Sequence, residues 1–399
     1  MQAIENYFGF DSGGTVVIAD DLSGAAECAA EFAQPGVPTV LRLVHTAGKA
    51  SGCTLVWDLD AREAAPTLST DVLESIHQSR RTYVKIDSLL RGNWAQLVAL
   101  VAQTVARPII LCSALPRLGR GMRDGFVDLS PVLAVGQRLA YYQASAIQGL
   151  AWAGTSAGHH LLGAGTDDAI RQRLWAAMQR DSVTVVDATT DAELDTLARA
   201  LESLPSPYTA IGSAGLASAL ARVLAPPTSI CTLGRTSSMA ILVGSQTGPA
   251  REQLAELAAE SGETVGMWSA IHGRAAAFAP PPQGRALHIF STQLDESGTQ
   301  GGRDLTRRFV HDALANLPPV DCFMATGGET ARALCDALGV GQIDVLGQIE
   351  PGISLAQMNT PDGVRRLVLK SGSFGDRETL ARVARLGGLL TTTALERQL

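Results

Sequence analysis

Short runs of apolar residues alternate with longer amphipathic stretches along the whole chain. The short runs have the length of buried strands, and the longer stretches repeat apolar residues at helical spacing. Strands and helices that alternate in this way are typical of α/β domains with mostly parallel sheets. In the first half, the pattern predicts strands at Thr15–Ala19, Thr39–Val44, Thr54–Leu59, Tyr83–Ile86, Ile109–Cys112, Val183–Asp187 and Tyr208–Ile211, and helices at Ala25–Ala33, Asp71–Arg80, Trp94–Val105 and Ala192–Ser203.

The second half repeats the strand–turn–helix order. A break is predicted at Pro226–Thr236, because prolines end the preceding helix and a new strand starts at Met239. We therefore predict two α/β domains, residues 1–230 and 231–399, each a mostly parallel sheet flanked by helices, with the active site in the cleft between them. The clearest strands predicted for the second half are Ala240–Gly244, Leu287–Phe290, Cys322–Ala325, Ile343–Leu346 and Leu367–Lys370.

Composition argues against several classes of protein. The formal net charge is −7, and no block of Lys and Arg is interleaved with aromatic residues, so we expect no nucleic-acid partner. No apolar stretch reaches the roughly 18 residues that a membrane helix needs, and the first residues lack the features of a secretion signal. The 6 cysteines include no CxxC pair, which suits a reducing compartment. We therefore expect a cytoplasmic protein without a membrane partner.

Two adjacent carboxylates, Asp20 and Asp21, follow the first predicted strand in the segment IADDLSG. Ligands of parallel α/β sheets bind at the carboxyl ends of the strands. A carboxylate there can accept a proton from a substrate hydroxyl or hold Mg²⁺ near phosphate, but it can also simply cap the next helix. We expect one aspartate to cap and the other to be catalytic, and the sequence does not separate them.

A second polar cluster, KIDSLLRGN, follows the strand predicted at Tyr83–Ile86. Arginine can bind a carboxylate through two hydrogen bonds, lysine acts as a point charge, and Asp, Ser and Asn suit the hydroxyls of a polyol. The alternative is a helix-capping loop with solvated charges. Arg62, in the segment DLDAR, ends another strand and is a weaker candidate.

Three turns rich in Gly and Ser follow strands of the second half: Gly244–Gly248, Thr326–Thr330 and Ser371–Gly375. Glycine lets backbone amides approach an anion closely, and the N-terminus of the following helix favours negative charge. Three such turns in one domain predict a nucleotide site. Lys370 could reach a phosphate there, or could extend along the strand end into solvent.

Together, these motifs resemble those of the four-carbon acid sugar kinases, once a domain family of unknown function. The resemblance implies an N-terminal domain that holds the sugar acid and a C-terminal domain that holds ATP. It also implies phosphorylation of the terminal hydroxyl of acids such as threonate, erythronate or their 3-oxo forms. The matching segments are IADDLSGA (Ile18–Ala25), KIDSLLRGN (Lys85–Asn93), GSAGLASALA (Gly212–Ala221), ILVGSQTGPAREQ (Ile241–Gln253), TGGETARAL (Thr326–Leu334), QIEPGI (Gln348–Ile353) and LKSGSFG (Leu369–Gly375).

Residue roles follow from the resemblance and from the polar clusters. The expected catalytic residues are Asp20 and Asp21. The expected substrate-binding residues are Arg62, Lys85, Asp87, Ser88, Arg91, Gly92 and Asn93. The expected ATP-binding residues are Ser245, Thr326, Gly327, Gly328, Glu329, Thr330, Lys370 and Gly372. Mg²⁺ is expected to accompany ATP, without predicted metal ligands.

The sequence departs from the family pattern at a few points. Ser23 and Leu89 stand where the family usually has Thr, and the family's acidic-proline segment is not recognisable in Val132–Gly165. The identity of the sugar acid is therefore not predicted. Two alternatives remain: a non-catalytic sugar-acid or nucleotide sensor that kept the fold, and the less favoured nicotinamide-dependent oxidoreductase. A homo-oligomer is compatible with the sequence.

Overall fold

The chain divides into two compact units, residues 1–229 and 230–399. The computed structural model describes residues 14–33, 36–43, 53–62, 64–129, 144–163, 165–225, 231–262, 265–271, 274–275, 286–293 and 303–390. Part of the predicted interdomain segment, residues 226–230, and the first part of the segment that departs from the family pattern, residues 132–143, lie outside these ranges. Both units alternate strands with helices, which confirms the α/β class.

The first unit is built on a parallel sheet with the strand order β2-β3-β1-β4-β10-β5-β9-β8. A small antiparallel hairpin, β6–β7, follows β5. The strands of the first unit are β1 (Thr15–Ala19), β2 (Thr39–Leu43), β3 (Thr54–Asp58), β4 (Arg81–Lys85), β5 (Ile109–Cys112), β6 (Gly121–Arg123), β7 (Phe126–Asp128), β8 (Ala157–His160), β9 (Val183–Val186) and β10 (Tyr208–Gly212).

Helices flank this sheet, and the helix after β1 is the one nearest the proposed site. It is rich in small residues, which let it pack closely on β1, β2 and β3, so almost all of it is buried. The helices are α1 (Leu22–Ala33), α2 (Thr70–Gln78), α3 (Trp94–Thr104), α4 (Ala146–Trp152), α5 (Asp167–Met178), α6 (Asp191–Glu202) and α7 (Ala214–Leu224).

The second unit combines a parallel region with an antiparallel one. Strands β12, β14, β11, β15 and β18 pair in parallel, whereas β16–β17–β18 and β12–β13 pair in antiparallel fashion. The strands are β11 (Met239–Val243), β12 (Val265–Ile271), β13 (Arg274–Ala275), β14 (Leu287–Gln293), β15 (Cys322–Thr326), β16 (Gln342–Glu350), β17 (Ile353–Thr360) and β18 (Gly363–Lys370). The helices are α8 (Gly248–Ser261), α9 (Arg303–Ala315), α10 (Gly328–Ala337) and α11 (Thr379–Leu386).

Two parallel sets of strand ends therefore position the candidate residues. In the first unit, the carboxyl ends of β3, β1 and β4 are adjacent, and in the second unit those of β11, β15 and β18 are adjacent. The strand residues that lead to these ends are almost fully buried, which fixes the register of the sheet edge. Among the described helices, none combines the length and apolarity needed to cross a lipid bilayer.

Candidate active site

Arg62 links the two predicted catalytic aspartates. Its Nε and Nη2 donate to Oδ2 and Oδ1 of Asp20 at 2.9 and 3.0 Å, and its Nη1 donates to Oδ2 of Asp21 at 2.8 Å. Burial alone would lower the pKa of Arg62, but Asp21 and Asp20 outweigh it and raise that pKa. Parallel strand pairing brings these residues together. Ala19, the last residue of β1, pairs with Asp58 at the end of β3 and with Lys85 at the end of β4. The aspartates that follow β1 therefore lie beside Arg62, which follows β3.

The two aspartates have different surroundings. The backbone amide of Gly24 donates to Oδ1 of Asp21 at 2.8 Å, so Asp21 caps helix α1, and the hydroxyl of Ser23 donates to Oδ2 of Asp21 at 2.8 Å. Asp20 is only 2% exposed, and its two oxygens accept from Arg62. Burial raises the pKa of Asp20, and the guanidinium of Arg62 opposes that effect.

Lys85 is a buried cation beneath the aspartates. Its Nζ donates to the carbonyl of Ile86 at 3.1 Å. A Cβ on Gly24 would lie 2.7 Å from Asp21 Oδ1 and 3.0 Å from Lys85 Nζ, so both charged atoms face the first turn of α1. Burial alone would lower the pKa of Lys85, but Glu27 and Asp20 outweigh it and raise that pKa. Lys85 therefore stays protonated and stabilises the carboxylates around it.

The loop after β4 contains a tight ion pair. Arg91 donates through Nε and Nη2 to Oδ1 and Oδ2 of Asp87 at 2.9 and 2.7 Å, and the amide of Leu89 donates to Oδ1 of Asp87 at 2.9 Å. Burial alone would raise the pKa of Asp87, but the hydrogen bonds and the charge of Arg91 outweigh this effect and lower that pKa to about 2. Ser88 is buried, and its Oγ accepts from Nη1 of Arg120 at 2.6 Å.

Gly92 and Asn93 support Arg62. A Cβ on Gly92, which has a φ of +76°, would lie 2.5 Å from the carbonyl oxygen of Arg62. The amide of Asn93 donates to that same carbonyl at 3.0 Å, and Asn93 Nδ2 donates to the carbonyl of Ala64 at 2.9 Å. These contacts position the Arg62 segment, which is a role the sequence did not indicate for the two residues.

The prediction missed a layer of charges around this cluster. Arg117 donates to Glu27 at 2.7 Å and to Glu31 at 3.2 Å, and both glutamates are buried on α1. The signal was present in the sequence, since two glutamates four positions apart lie in an otherwise small and apolar helix. Arg120, in the segment LPRLGR after β5, was also overlooked as a site residue.

Two of the Gly/Ser-rich turns of the second unit meet through side chains. The hydroxyl of Thr247 donates to the carbonyl of Gly372 at 2.8 Å and lies 3.2 Å from the hydroxyl of Ser245. A Cβ on Gly372 would overlap with Ser245 Oγ, so a glycine is needed for this approach. The turns after β11 and β18, the strands on either side of β15, thus meet and place their hydroxyls and backbone groups together.

The turn after β15 completes this arrangement. Gly327 has a φ of +93°, and its amide donates to the carbonyl of Lys370 at 2.8 Å. The hydroxyl of Thr326 is fully buried and has no hydrogen-bond partner among the described residues. Thr330 is buried against Gly244, whereas Glu329 is exposed and lies 3.7 Å from Arg303. Gly328 is the first residue of α10, so the glycine with the left-handed backbone is Gly327.

Lys370 does not extend into solvent. It is 2% exposed, and its Nζ donates to the carbonyls of Ser371 at 2.9 Å and Gly372 at 3.4 Å. Burial lowers its pKa to about 8. A buried ammonium beside hydroxyls and amides is suited to an anion with several oxygens.

A metal centre made only of protein ligands is not found in the described part of the chain, where no three His, Cys, Asp or Glu residues cluster suitably. Magnesium commonly keeps several waters and binds through one or two carboxylates together with substrate phosphates.

Comparison with known proteins matches each half of the chain to a family model. Residues 15–220 match the family model of a sugar-binding N-terminal domain, and residues 240–380 match that of a nucleotide-binding C-terminal domain. The chain belongs to the four-carbon acid sugar kinase family. That membership confirms the resemblance on which the prediction of a sugar-acid kinase was built.

Curated relatives match over nearly the whole chain. A D-threonate kinase of Cupriavidus necator is 32% identical, covering 92% of this chain and 96% of the relative. A D-threonate kinase of Bordetella bronchiseptica is 28% identical, with the same shares covered. A 3-oxo-tetronate kinase of Pseudomonas fluorescens is 25% identical, covering 92% of this chain and 95% of the relative.

Solved structures show the same fold at lower identity. A protein of Salmonella typhimurium LT2, described as a tRNA synthase, is 20% identical with a TM-score of 0.68 and covers 93% of this chain and 99% of its own. A Haemophilus influenzae protein is 18% identical with a TM-score of 0.65, and the match covers 93% of this chain and 100% of that protein. At these identities the likeness concerns the fold alone.

Proposed function

We propose that this protein is an ATP-dependent kinase that phosphorylates the terminal hydroxyl of a four-carbon sugar acid of the threonate, erythronate or 3-oxo-tetronate type. One observation carries the proposal. The unit that matches the sugar-binding model holds a cluster of carboxylates and guanidiniums at its strand ends, and the unit that matches the nucleotide-binding model holds glycine-rich turns beside a buried lysine. The names of the curated relatives support the same class of substrate.

Asp20 is the general base in this proposal. Each of its carboxylate oxygens accepts one hydrogen bond from Arg62, which leaves lone pairs for a substrate hydroxyl. Burial raises the pKa of Asp20 and so makes it a stronger base than an exposed aspartate. Asp21 is committed to capping α1 and to fixing Arg62.

ATP is the second substrate, and the turns of the second unit fit its phosphates. The unpartnered hydroxyl of Thr326, the close approach at Gly372 and the ammonium of Lys370 supply donors of the type that phosphate oxygens accept. When bound, ATP supplies the γ-phosphoryl group, and Mg²⁺ neutralises part of the phosphate charge. The residues of this chain position the reactants and hold the proton, which is most of what phosphoryl transfer requires.

A coupled ATP-consumption assay over four- to six-carbon sugar acids tests the function. We expect turnover with a four-carbon acid that is lost in the Asp20→Asn variant, which also controls for contaminating kinases. Binding of sugar acids without any turnover would favour the sensor instead. Binding of NAD rather than ATP in a parallel titration would favour the oxidoreductase.

A further inference from the structure

Arg120 is held by a closed turn at the carboxyl edge of the first sheet. The segment Leu115–Arg120 follows β5 and contains a single 3₁₀ turn, Pro116–Leu118, that ends at Gly119 with a φ of +66°. The amide of Leu115 donates to the carbonyl of Arg120 at 2.6 Å, and the amide of Arg120 donates back at 3.2 Å. The backbone of Arg120 is therefore fixed on both sides.

Arg117 ties this turn to helix α1. Its guanidinium bridges Glu27 and Glu31, whose side chains are 8% and 6% exposed. Because α1 begins at the Asp21 cap, the turn and the aspartates are attached to the same helix. Breaking a buried ion pair of this kind is strongly unfavourable, so the turn has a defined place beside the proposed site.

Among the guanidiniums of this cluster, that of Arg120 lacks a carboxylate partner in the described part of the chain. Within the described residues it forms no ion pair, and its Nη1 donates to the hydroxyl of Ser88 at 2.6 Å. Four further N–H groups of the guanidinium remain for other acceptors. The other guanidiniums are paired: Arg62 with Asp20 and Asp21, Arg91 with Asp87, and Arg117 with Glu27 and Glu31.

The surroundings of Arg120 favour the arrival of an anion. Burial lowers the pKa of Arg120, against the opposing effect of Asp87, yet a guanidinium remains charged at neutral pH. A half-buried charge without a counterion is electrostatically costly, and a carboxylate that brings two oxygens would relieve that cost. Arg62, the residue first expected to bind the substrate carboxylate, has three N–H groups engaged with Asp20 and Asp21.

We propose that Arg120 binds the carboxylate of the sugar acid and thereby distinguishes an acid from a neutral polyol. This assignment rests on the proposed function and names the residue that recognises the acid group. Ser88 orients the guanidinium, and Arg117 fixes the turn that carries it. Arg62 instead holds Asp20 and Asp21 in place.

The test compares an acid with its neutral analogue in Arg120→Gln. The probes are D-threonate and D-threonamide, with ATP saturating. We expect the KM for D-threonate to rise ~10–100-fold, the value of a lost charge-assisted contact, while kcat/KM for D-threonamide changes little. Arg120→Lys should give an intermediate KM for the acid. Arg222→Gln, which removes an exposed arginine in the last turn of α7 that pairs with Asp195, is the matched control and should leave both probes unaffected.

The outcomes separate this proposal from the function on which it rests. If the wild-type protein is active and Arg120→Gln keeps its KM for the acid, the proposal for Arg120 is overturned and the kinase stands. An equal loss for acid and amide would likewise overturn it, because it would indicate a structural role. If the wild-type protein phosphorylates no acid, calorimetric titration with D-threonate decides: binding that Arg120→Gln loses supports Arg120, and binding that it keeps refutes the assignment. If Arg120→Gln does not fold, the Arg120→Lys comparison replaces it.

Discussion

At the scale of single residues, the neighbours Asp20 and Asp21 differ because their surroundings differ. Asp20 is buried and bonded to one guanidinium, whereas Asp21 accepts hydrogen bonds from a helix amide, a hydroxyl and that same guanidinium. An aspartate that caps a helix has its oxygens directed at backbone donors. In the proposed function, Asp20 beside it is therefore the residue that accepts a proton from the substrate hydroxyl.

Asp20→Asn and Asp21→Asn separate these roles. Loss of the proton acceptor in Asp20→Asn should lower kcat by ~10²–10⁴, with the KM for ATP nearly unchanged. Asn caps helices about as well as Asp, so Asp21→Asn should keep the fold and lose far less activity. Steady-state kinetics of the purified variants measure both effects. Near-wild-type kcat in Asp20→Asn, or a larger loss in Asp21→Asn, would show that the base is assigned to the wrong residue.

We predict that ATP binding depends on pH through Lys370. Its pKa of about 8 in the folded protein lies below the ordinary value of 10.5, because burial penalises the charge. The folded protein therefore loses this charge as pH rises through about 8, and we expect the KM for ATP to rise above that pH. Lys370→Met should raise the KM for ATP at pH 7 and remove this pH dependence, while the KM for the sugar acid stays the same.

Stability provides an independent check on Lys370. Between about pH 8 and pH 10.5 the unfolded chain binds more protons at this position than the folded one, so the cost of burying the charge is present below pH 8 and disappears as pH rises towards 10.5. Lys370→Met should accordingly be more stable than the wild type at pH 7 in denaturant unfolding. A less stable variant would mean that the ammonium is compensated in the folded protein.

At the scale of elements, the site depends on close contact between loops that follow different strands. The loop after β4 reaches the loop after β3, where Gly92 leaves room for the carbonyl of Arg62. Strand ends that are far apart in sequence become neighbours because the strands pair in parallel, with Ala19 beside both Asp58 and Lys85. Activity should therefore be sensitive to backbone positions that touch no substrate.

Gly92→Ala tests this dependence, with Gly154→Ala as its control. Both glycines have nearly the same left-handed backbone, with φ of +76° and +75°, but a Cβ on Gly154 meets nothing within 4 Å. Each substitution should cost ~1–2 kcal/mol of stability from backbone strain. Only Gly92→Ala should also displace Arg62 and lower kcat/KM for the sugar acid, by about tenfold or more. Equal activity in the two variants would indicate that the position of Arg62 is unimportant.

At the scale of the whole molecule, the proposed acid-binding and ATP-binding residues belong to different units. Phosphoryl transfer requires reacting atoms at ~3–3.5 Å, so neither unit can complete the reaction alone. We predict that ATP hydrolysis without sugar acid is slow, and that the radius of gyration decreases only when both a nucleotide analogue and sugar acid are bound. Phosphate release and small-angle scattering on the four ligand states measure these two effects. Fast ATP hydrolysis without sugar acid, or the same radius of gyration in all four ligand states, would contradict this prediction.

The strands and helices that carry the site were largely predictable from the sequence. Strands Thr15–Ala19 and Ile109–Cys112 were predicted with their observed bounds, and several other predicted ends differ by one or two residues. Strand β17 was missed, although Pro351–Gly352 and the Pro361–Gly363 turn mark its ends. The antiparallel β16–β17–β18 region was therefore not foreseen, because its half-polar strands lack the continuous apolar runs of the parallel sheet.

The sequence by itself determined the α/β class, the places where strands end and the polar residues at those ends, since periodicity and turn chemistry are local properties. Only the tertiary structure decided which groups face one another. Arg62 meets Asp20 from 42 positions away, Arg117 meets Glu27 from 90 positions away, and Arg120 meets Ser88 from 32 positions away. These contacts pair Asp20 with Arg62 and leave Arg120 without a carboxylate in the described part of the chain. They arise from parallel strand pairing and burial, which depend on residues distant in the chain, and so local pattern could name the candidates but not their partners.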